Sequence, residues 1–497
     1  MKKRKMTKRL PLPRLVIGGA LLSLMAACSV EQPWQRPEAS IPASFKEAPA
    51  QETAGWKLAE PAEEAQRGQW WAIFGDPLLD ELEHQAIAAN QDVQAAAARL
   101  RQARALAQAQ EATRLPALDA GFGATRQRAS PASQSLADGA QVPGQTLWRA
   151  QAAASYEVDL FGRVGSAIHA AQADAGRSVA LFHSVLLALQ ADVAQHYFQL
   201  REFDGQLRVY QQTVALREDA LKLAERRFKE GEVGELDVAR ARNVMESARA
   251  DAAGVARQRA AAEHSLAVLL GKPPAQFAFA AMPLAPVEVQ VQVPAGLPSA
   301  LLERRPDIAA AERAMAAAYA RVGLARSAFF PRLDLTAMLG VESATLGNLF
   351  HWSSRTFLLG PLAGTALSVP LFDGGRRSAM LGGAQARLDE DVALYRQQVL
   401  VAFREVEDSL ADLRLLKVQH AAQVAAVAAA QRAGQLSQSQ YEAGQVSYLE
   451  VIDAQRQVLQ ARLQLNRLAG AQAAATVSLI RALGGGWDAA AGQVAAR

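Results

Sequence analysis

Only one cysteine, Cys28, stands in 497 residues. A lone thiol closes no bridge within its own chain, so no disulfide framework holds this fold together. The seven histidines (84, 169, 183, 196, 264, 351 and 420) lack metal-ligand spacing. No Cys-His or Ser-His-Asp arrangement stands out, and "LGGGW" follows a helical stretch where a cap belongs rather than a phosphate, so the sequence is read as a non-enzyme without cofactor or resident metal. The eight methionines form no cluster of the kind that handles soft metals. Proline is missing between Pro143 and Pro273 and again after Pro370, and both stretches are rich in Ala, Leu, Arg, Gln and Glu. Long helices are expected there.

Excess charge is also missing once the N-terminus is set aside. Residues 1–27 hold seven Lys/Arg and no acid, so removing them from 53 leaves 46 cations against 49 Asp+Glu, about −3. A nucleic-acid partner is therefore not indicated by the basic pI. The same 27 residues join a basic head to an apolar run from Leu15 to Ala27 that is too short to span a membrane, which describes a signal peptide. Ala26 and Ala27 before Cys28 resemble a lipobox. That resemblance implies cleavage after Ala27, a diacylglycerol and an N-acyl chain on Cys28, and, with Ser29 following, export to the outer membrane.

What the sequence has in plenty is itself, twice. A shift of 213 lays "RFKEGEVGELDVARAR" (227–242) on "QYEAGQVSYLEVIDAQ" (440–455), matching Phe228 with Tyr441, Gly231 with Gly444, Val233 with Val446 and Leu236 with Leu449. A shift of 215 places Pro116 and Asp119 on Pro331 and Asp334, and one of 211 places Phe161 on Phe372. The chain is one unit written twice, 76–274 and 303–487. Around it lie an N-terminal segment 28–75, a linker 275–302 and a tail 488–497.

Within each copy the periods change. Val179, Leu186, Val193, Leu200, Leu207, Val214, Leu221 and Phe228 recur every seven residues, with Phe182, Leu189, Phe203 and Tyr210 supplying much of a companion row. This is a coiled-coil seam. The second copy repeats it more loosely through Val392, Val399, Val406, Leu413, Val427 and Tyr441, interrupted by His420 and Gly434. His196 falls on the first seam and is read as a packed or partner-bonded residue, and "AERRFKE" as a solvated face. Helices are predicted over about 77–114, 163–230, 236–270, 307–330, 376–442 and 449–483, the long ones turning back at glycine-containing tips as antiparallel hairpins.

Between the helices the period falls to two. Leu118, Ala120, Phe122 and Ala124 alternate with Asp119, Gly121, Gly123 and Thr125; Leu333, Leu335, Ala337, Leu339 and Val341 form the copy. Trp148, Ala150, Ala152, Ala154, Tyr156 and Val158 alternate with Arg149, Gln151, Ser155, Glu157 and Asp159. Strands are expected over 117–126, 147–159, 332–342 and 356–370, each long enough to cross an outer membrane, with one greasy face. Four strands close no barrel, and open edges are not tolerated in lipid, so several chains must share one.

The motifs "WWAIFGDPLLDELEHQAIAANQDV" (70–93), "VPLFDGG" (369–375), "AFREVEDSL" (402–410), "ALGGGW" (482–487) and the two tip turns resemble the lipoprotein branch of the outer membrane factors, the TolC-like channels of tripartite efflux systems. The resemblance implies an α+β membrane channel. In it a homotrimer forms a 12-stranded outer membrane β-barrel continuous with a 12-helix periplasmic α-barrel, each repeat running helix, strand, strand, long helix, tip turn, helix. It implies a belt built from 28–75, 275–302 and the tail, outer membrane lipid around the barrel, and a periplasmic adaptor with an RND-type inner-membrane pump as partners. Small amphiphilic drugs are the expected cargo; metal-ion efflux or protein secretion by the same duct, or a non-conducting structural or adaptor lipoprotein, are the alternatives.

Two sites follow from the resemblance. The tip turns, Gly231, Val233, Gly234 and Leu236 with Gly444, Val446, Ser447 and Leu449, match the surface on which the adaptor docks. Glu450 and Asp453 share one helix face by i, i+3 spacing. They match a pair of acids that narrows the periplasmic mouth, with Asp237 the first-copy counterpart of Glu450 and Arg240 standing where Asp453 has its counterpart. Val446 occupies the position of the family's arginine, so the latch is expected to be weaker or built differently.

Overall fold

The computed structural model of the chain describes residues 42, 44–47, 68–284, 304–359 and 367–485. The signal peptide, Ala27, Cys28, the tail 488–497 and most of 28–75 and 275–302 lie outside the described residues.

Duplication is visible as equal lengths. Helices α1 (Pro77–Ala89) and α2 (Gln91–Glu111) lead to strands β1 (Ala117–Gln127) and β2 (Gln145–Val158), then α3 (Arg163–Lys229) and α4 (Glu235–Leu269). The second copy runs α5 (Pro306–Ser327), β3 (Arg332–Ser343), β4 (Arg355–Leu359), β5 (Leu367–Ser368), α6 (Arg376–Glu442) and α7 (Tyr448–Ala482). Helices α3 and α6 both have 67 residues, and α4 and α7 both have 35. Each of the second pair begins 213 positions after its counterpart, the shift found in the sequence.

The stretch expected as one helix over 77–114 is two, because Asn90 breaks it. Its backbone is extended (φ −65°, ψ 129°), and its Oδ1 accepts from the backbone N–H of Asp92 at 2.9 Å and Val93 at 3.1 Å, capping α2. The same amide donates to the Leu269 carbonyl at 3.0 Å, tying the break to the end of α4.

The described residues divide into two compact units, one holding those within 101–177 and 312–394 and the other the remainder. The first contains the sheet. Its strands are antiparallel in the order β1-β2-β3-β4, with β5 also pairing β3. Ala120 faces Ala152, Ala152 faces Leu339, and Leu339 faces Phe357, so the apolar alternations of the strands fall on one face. One residue along, Gly121, Gln151, Gly340 and Thr356 form the other. The residues expected as one strand over 356–370 appear as β4 and β5, with 360–366 outside the described residues.

The second unit holds the larger core. Trp70, Leu79, Leu82, Tyr197, Leu200, Leu266 and Val477 are buried together, joining α1, α3, α4 and α7. Three ion pairs made by two arginines hold the helix starts. Asp76 caps α1 through the Leu78 N–H at 3.1 Å and receives Arg201 Nη1 at 2.6 Å and the Tyr197 hydroxyl. Arg305, only 6% exposed, reaches Asp307 at 3.0 Å, Glu405 at 2.6 Å and the Ala482 carbonyl at 3.0 Å, satisfying a charge that would be costly unpaired.

The seam is only partly as expected. Val193, Leu200 and Leu221 are buried with Leu189 and Tyr210, and Val399 and Val406 repeat this in α6. Phe228, expected to end the seam, is 45% exposed, one residue before the helix ends at Lys229. From Ala411 to Glu442 no residue of α6 is buried, although Leu415, Val418, Val424 and Leu436 lie there.

Candidate functional site: an amphipathic sheet and matching tip turns

The sheet combines opposite solvents on its two faces. Leu118, Phe122, Leu339 and Phe357 are 65% exposed or more on the apolar face, so they await an apolar surrounding rather than a soluble core. On the opposite face Arg149 Nε donates to Glu342 Oε2 at 2.6 Å across β2 and β3. A pair of charges on one face and a continuous apolar row on the other suit a wall between lipid and water. Alternation is not complete, since Ala153, Met338 and Leu358 form an apolar row within the wet face.

Each tip turn is set by backbone chemistry. The N–H groups of Glu230, Gly231 and Glu232 donate to the carbonyls of Arg226, Phe228 and Arg227. Those of Ala443, Gly444 and Gln445 donate to Ser439, Tyr441 and Gln440, the same three bonds 213 positions later. Gly231 (φ 79°) and Gly444 (φ 73°) adopt the left-handed conformation that closes a helix, where a side chain would be strained. Gly234 and Ser447 then start α4 and α7 in extended conformation. Val233 and Val446 are half-buried, whereas Leu236 and Leu449 are exposed at 61% and 43%. Two matching turns thus carry two matching exposed leucines.

Beneath the turns Leu221, Ala224, Ala241, Met245, Tyr448, Val451 and Ile452 pack into one cluster, so α3, α4 and α7 meet there. Arg227 lies over the Tyr441 ring at 5.3 Å, which gives a role to a residue expected to be merely solvated. Burial, followed by the nearby Tyr441, pushes the Tyr448 hydroxyl above its usual pKa. Arg217 is 6% exposed and donates to the Val244 carbonyl at 2.7 Å; burial and then Arg456 hold its pKa below the ordinary value.

The acids divide by copy. Asp237 lies 3.7 Å from Arg240, and its counterpart Glu450 is exposed on the first turn of α7. Asp453 lies on the same face and meets Arg456 Nη1 at 3.2 Å. Sequence reasoning missed Arg456, though its i, i+3 spacing from Asp453 was legible. His196 Nδ1 donates to Gln199 Oε1 at 3.3 Å.

A residue outside both sites was also missed. Glu83 is fully buried, neither carboxylate oxygen has a hydrogen-bond partner among the described residues, and burial, then Asp80, raises its pKa to about 9. The signal was its place among Leu79, Leu82 and Ala86 on the apolar stripe of α1.

Residues 82–272 and 297–485 match the family described as outer membrane efflux protein. Among curated relatives, outer membrane protein OprJ of Pseudomonas aeruginosa is 34% identical over 96% of this chain and 97% of its own. Toluene efflux pump outer membrane protein TtgF of Pseudomonas putida is 35% identical over 94% and 96%, and cation efflux system protein CusC of Escherichia coli 32% over 93% and 97%. The solved structure of the outer-membrane channel OprN superposes with a TM-score of 0.82 at 28% identity, covering 93% of this chain and all of that one.

Proposed function

The chain belongs to the outer membrane efflux protein family, and from that premise we propose that it conducts small amphiphilic compounds to the exterior as the channel of a tripartite pump. Its place is the outer membrane. The observation that carries the reading is the sheet, with one exposed apolar face, one face bearing the Arg149–Glu342 pair, and free edges at β1 and β4. Free edges have no place in hydrocarbon, so a shared barrel supplied by a homotrimer answers them. The exposed apolar residues of α6 suit burial against a neighbouring copy. The exposed Leu236 and Leu449 on matching turns suit an adaptor that reads each chain twice. Cys28 carries the lipid, and Glu450 and Asp453 line the periplasmic mouth.

Amphiphilic cargo is favoured by the toluene pump relative. A metal-ion duct is the second reading, favoured by the cation efflux relative. Two measurements test the proposal. Protein extracted from outer membranes should be trimeric and conduct ions in planar bilayers; a silent preparation overturns the channel. Cells lacking the gene should retain an amphiphilic dye that complemented cells expel; equal retention, with sensitivity to a metal salt instead, would transfer the cargo to ions.

A further inference from the structure

Within one chain, the corner after β2 packs on the corner before β3. The rings of Phe161 and Phe330 stack there, 4.9 Å between centroids and 20° from parallel. This contact joins the two copies of the repeat, since Phe161 belongs to the first and Phe330 to the second. It exists because β2 and β3 are neighbours in the sheet, pairing from Trp148 with Ser343 to Val158 with Leu333.

The repeat requires a second contact of the same kind. The shift of 211 carries Phe161 to Phe372, and the shift of 215 carries Leu115 to Phe330. Phe372 follows the strand that leaves the second copy, and Leu115 precedes the strand that enters the first. Those strands lie on opposite sides of the sheet, in the order β1-β2-β3-β4 with β5 on β3, so the two corners cannot meet within one chain. Both are left bare. Phe372 is 91% exposed and Leu115 70%, against 38% for Phe330 in the contact that does form.

We propose that Phe372 of one chain packs on Leu115 of the next, repeating between copies the contact that Phe161 and Phe330 make within one. The occupant of each exposed corner is therefore a second copy of this chain, bound head to tail, and in the closed trimer proposed above every such corner is covered. The inference rests on the trimeric reading above and adds the residues that meet. Only the apolar part is repeated. Arg332 lies 3.4 Å from Glu157 beside the stacked rings, whereas the corresponding positions are Ala117 and Ser368, so the contact between copies is held by apolar burial without that ion pair.

The test is thiol cross-linking of the full-length protein purified from outer membranes, with Cys28 left in place and the wild type as background. Leu115→Cys with Phe372→Cys, treated with a short bismaleimide, should give dimers and trimers on a denaturing gel. The control Phe161→Cys with Phe330→Cys should give internally bridged monomer, and either single variant of the first pair should stay monomeric. A native trimer of the double variant that yields no linked species overturns the contact, as does linking by Leu115→Cys alone. Leu115→Asp provides a second reading: it should lower the temperature at which the trimer dissociates, and no shift overturns the contact. Wild-type protein that is monomeric before any treatment overturns the trimeric reading itself, which separates the two failures.

Discussion

The rings of Tyr441 and Tyr448 sit 5.4 Å apart across the second tip turn, joining the last turn of α6 to the first residue of α7. Tyr448 also lies in the cluster with Leu221, Ala241 and Met245, so one side chain connects both hairpins below their turns. Tyr448→Ala should cost on the order of 3 kcal/mol through the cavity it leaves. Hydrogen exchange of the amides from 436 to 455 should speed up in that variant and change little in Tyr448→Phe, which keeps the ring.

The strand register makes a paired prediction. Leu335→Arg and Ala152→Arg place a cation on the apolar face and should each cost roughly 2–4 kcal/mol near the middle of a bilayer. Thr336→Arg and Gln151→Arg, one position away on the other face, should assemble normally. Heat dissociation of the proposed trimer in lipid reads all four, and equal behaviour would show that the faces are assigned wrongly.

From the proposed placing of these acids at the mouth, Glu450→Ala with Asp453→Ala should reduce cation selectivity and weaken block by a trivalent cation added from the periplasmic side, because clustered acids focus a negative potential in a narrow pore. Arg456→Ala should do the reverse, since it frees Asp453 from its partner at 3.2 Å. Single-channel recording measures both, and identical block in all three proteins would remove these residues from the constriction.

Glu83 predicts a pH dependence. Its pKa is raised to about 9 from the ordinary 4.5, chiefly by burial, so the folded chain binds the proton more tightly than the unfolded one. Stability should therefore fall as pH rises between those values, by up to about 1.4 kcal/mol per pH unit from this group. Glu83→Gln keeps the shape without the charge and should flatten the melting profile while raising stability at pH 8. A wild-type profile that is already flat would show that Glu83 finds a partner in solution.

Cys28→Ser should abolish metabolic labelling by fatty acid and leave precursor that is uncleaved or cut elsewhere. The channel itself should survive, since a barrel holds to the membrane without the acyl chains. Labelling of the variant at the wild-type level would place the lipid on another group.

Features that depend on neighbours along the chain were legible in the sequence. Backbone hydrogen bonds and side-chain periods are local, so the 213-residue shift, the two helices of 67 residues, the turns at Gly231 and Gly444 and the alternation of the strands follow from the residues in those segments. Burial is not local. Whether Phe228 is covered, whether Glu83 meets a partner and whether α6 is packed below Leu413 depend on which distant segment arrives opposite, and only the folded chain decides that. Asn90 shows both causes in one side chain, capping α2 through atoms two and three residues away and reaching Leu269 through an approach that no period encodes. The same division separates Phe161 from Phe372: the sequence makes them equivalent, but strand order places Phe330 against the first and leaves the second for another copy.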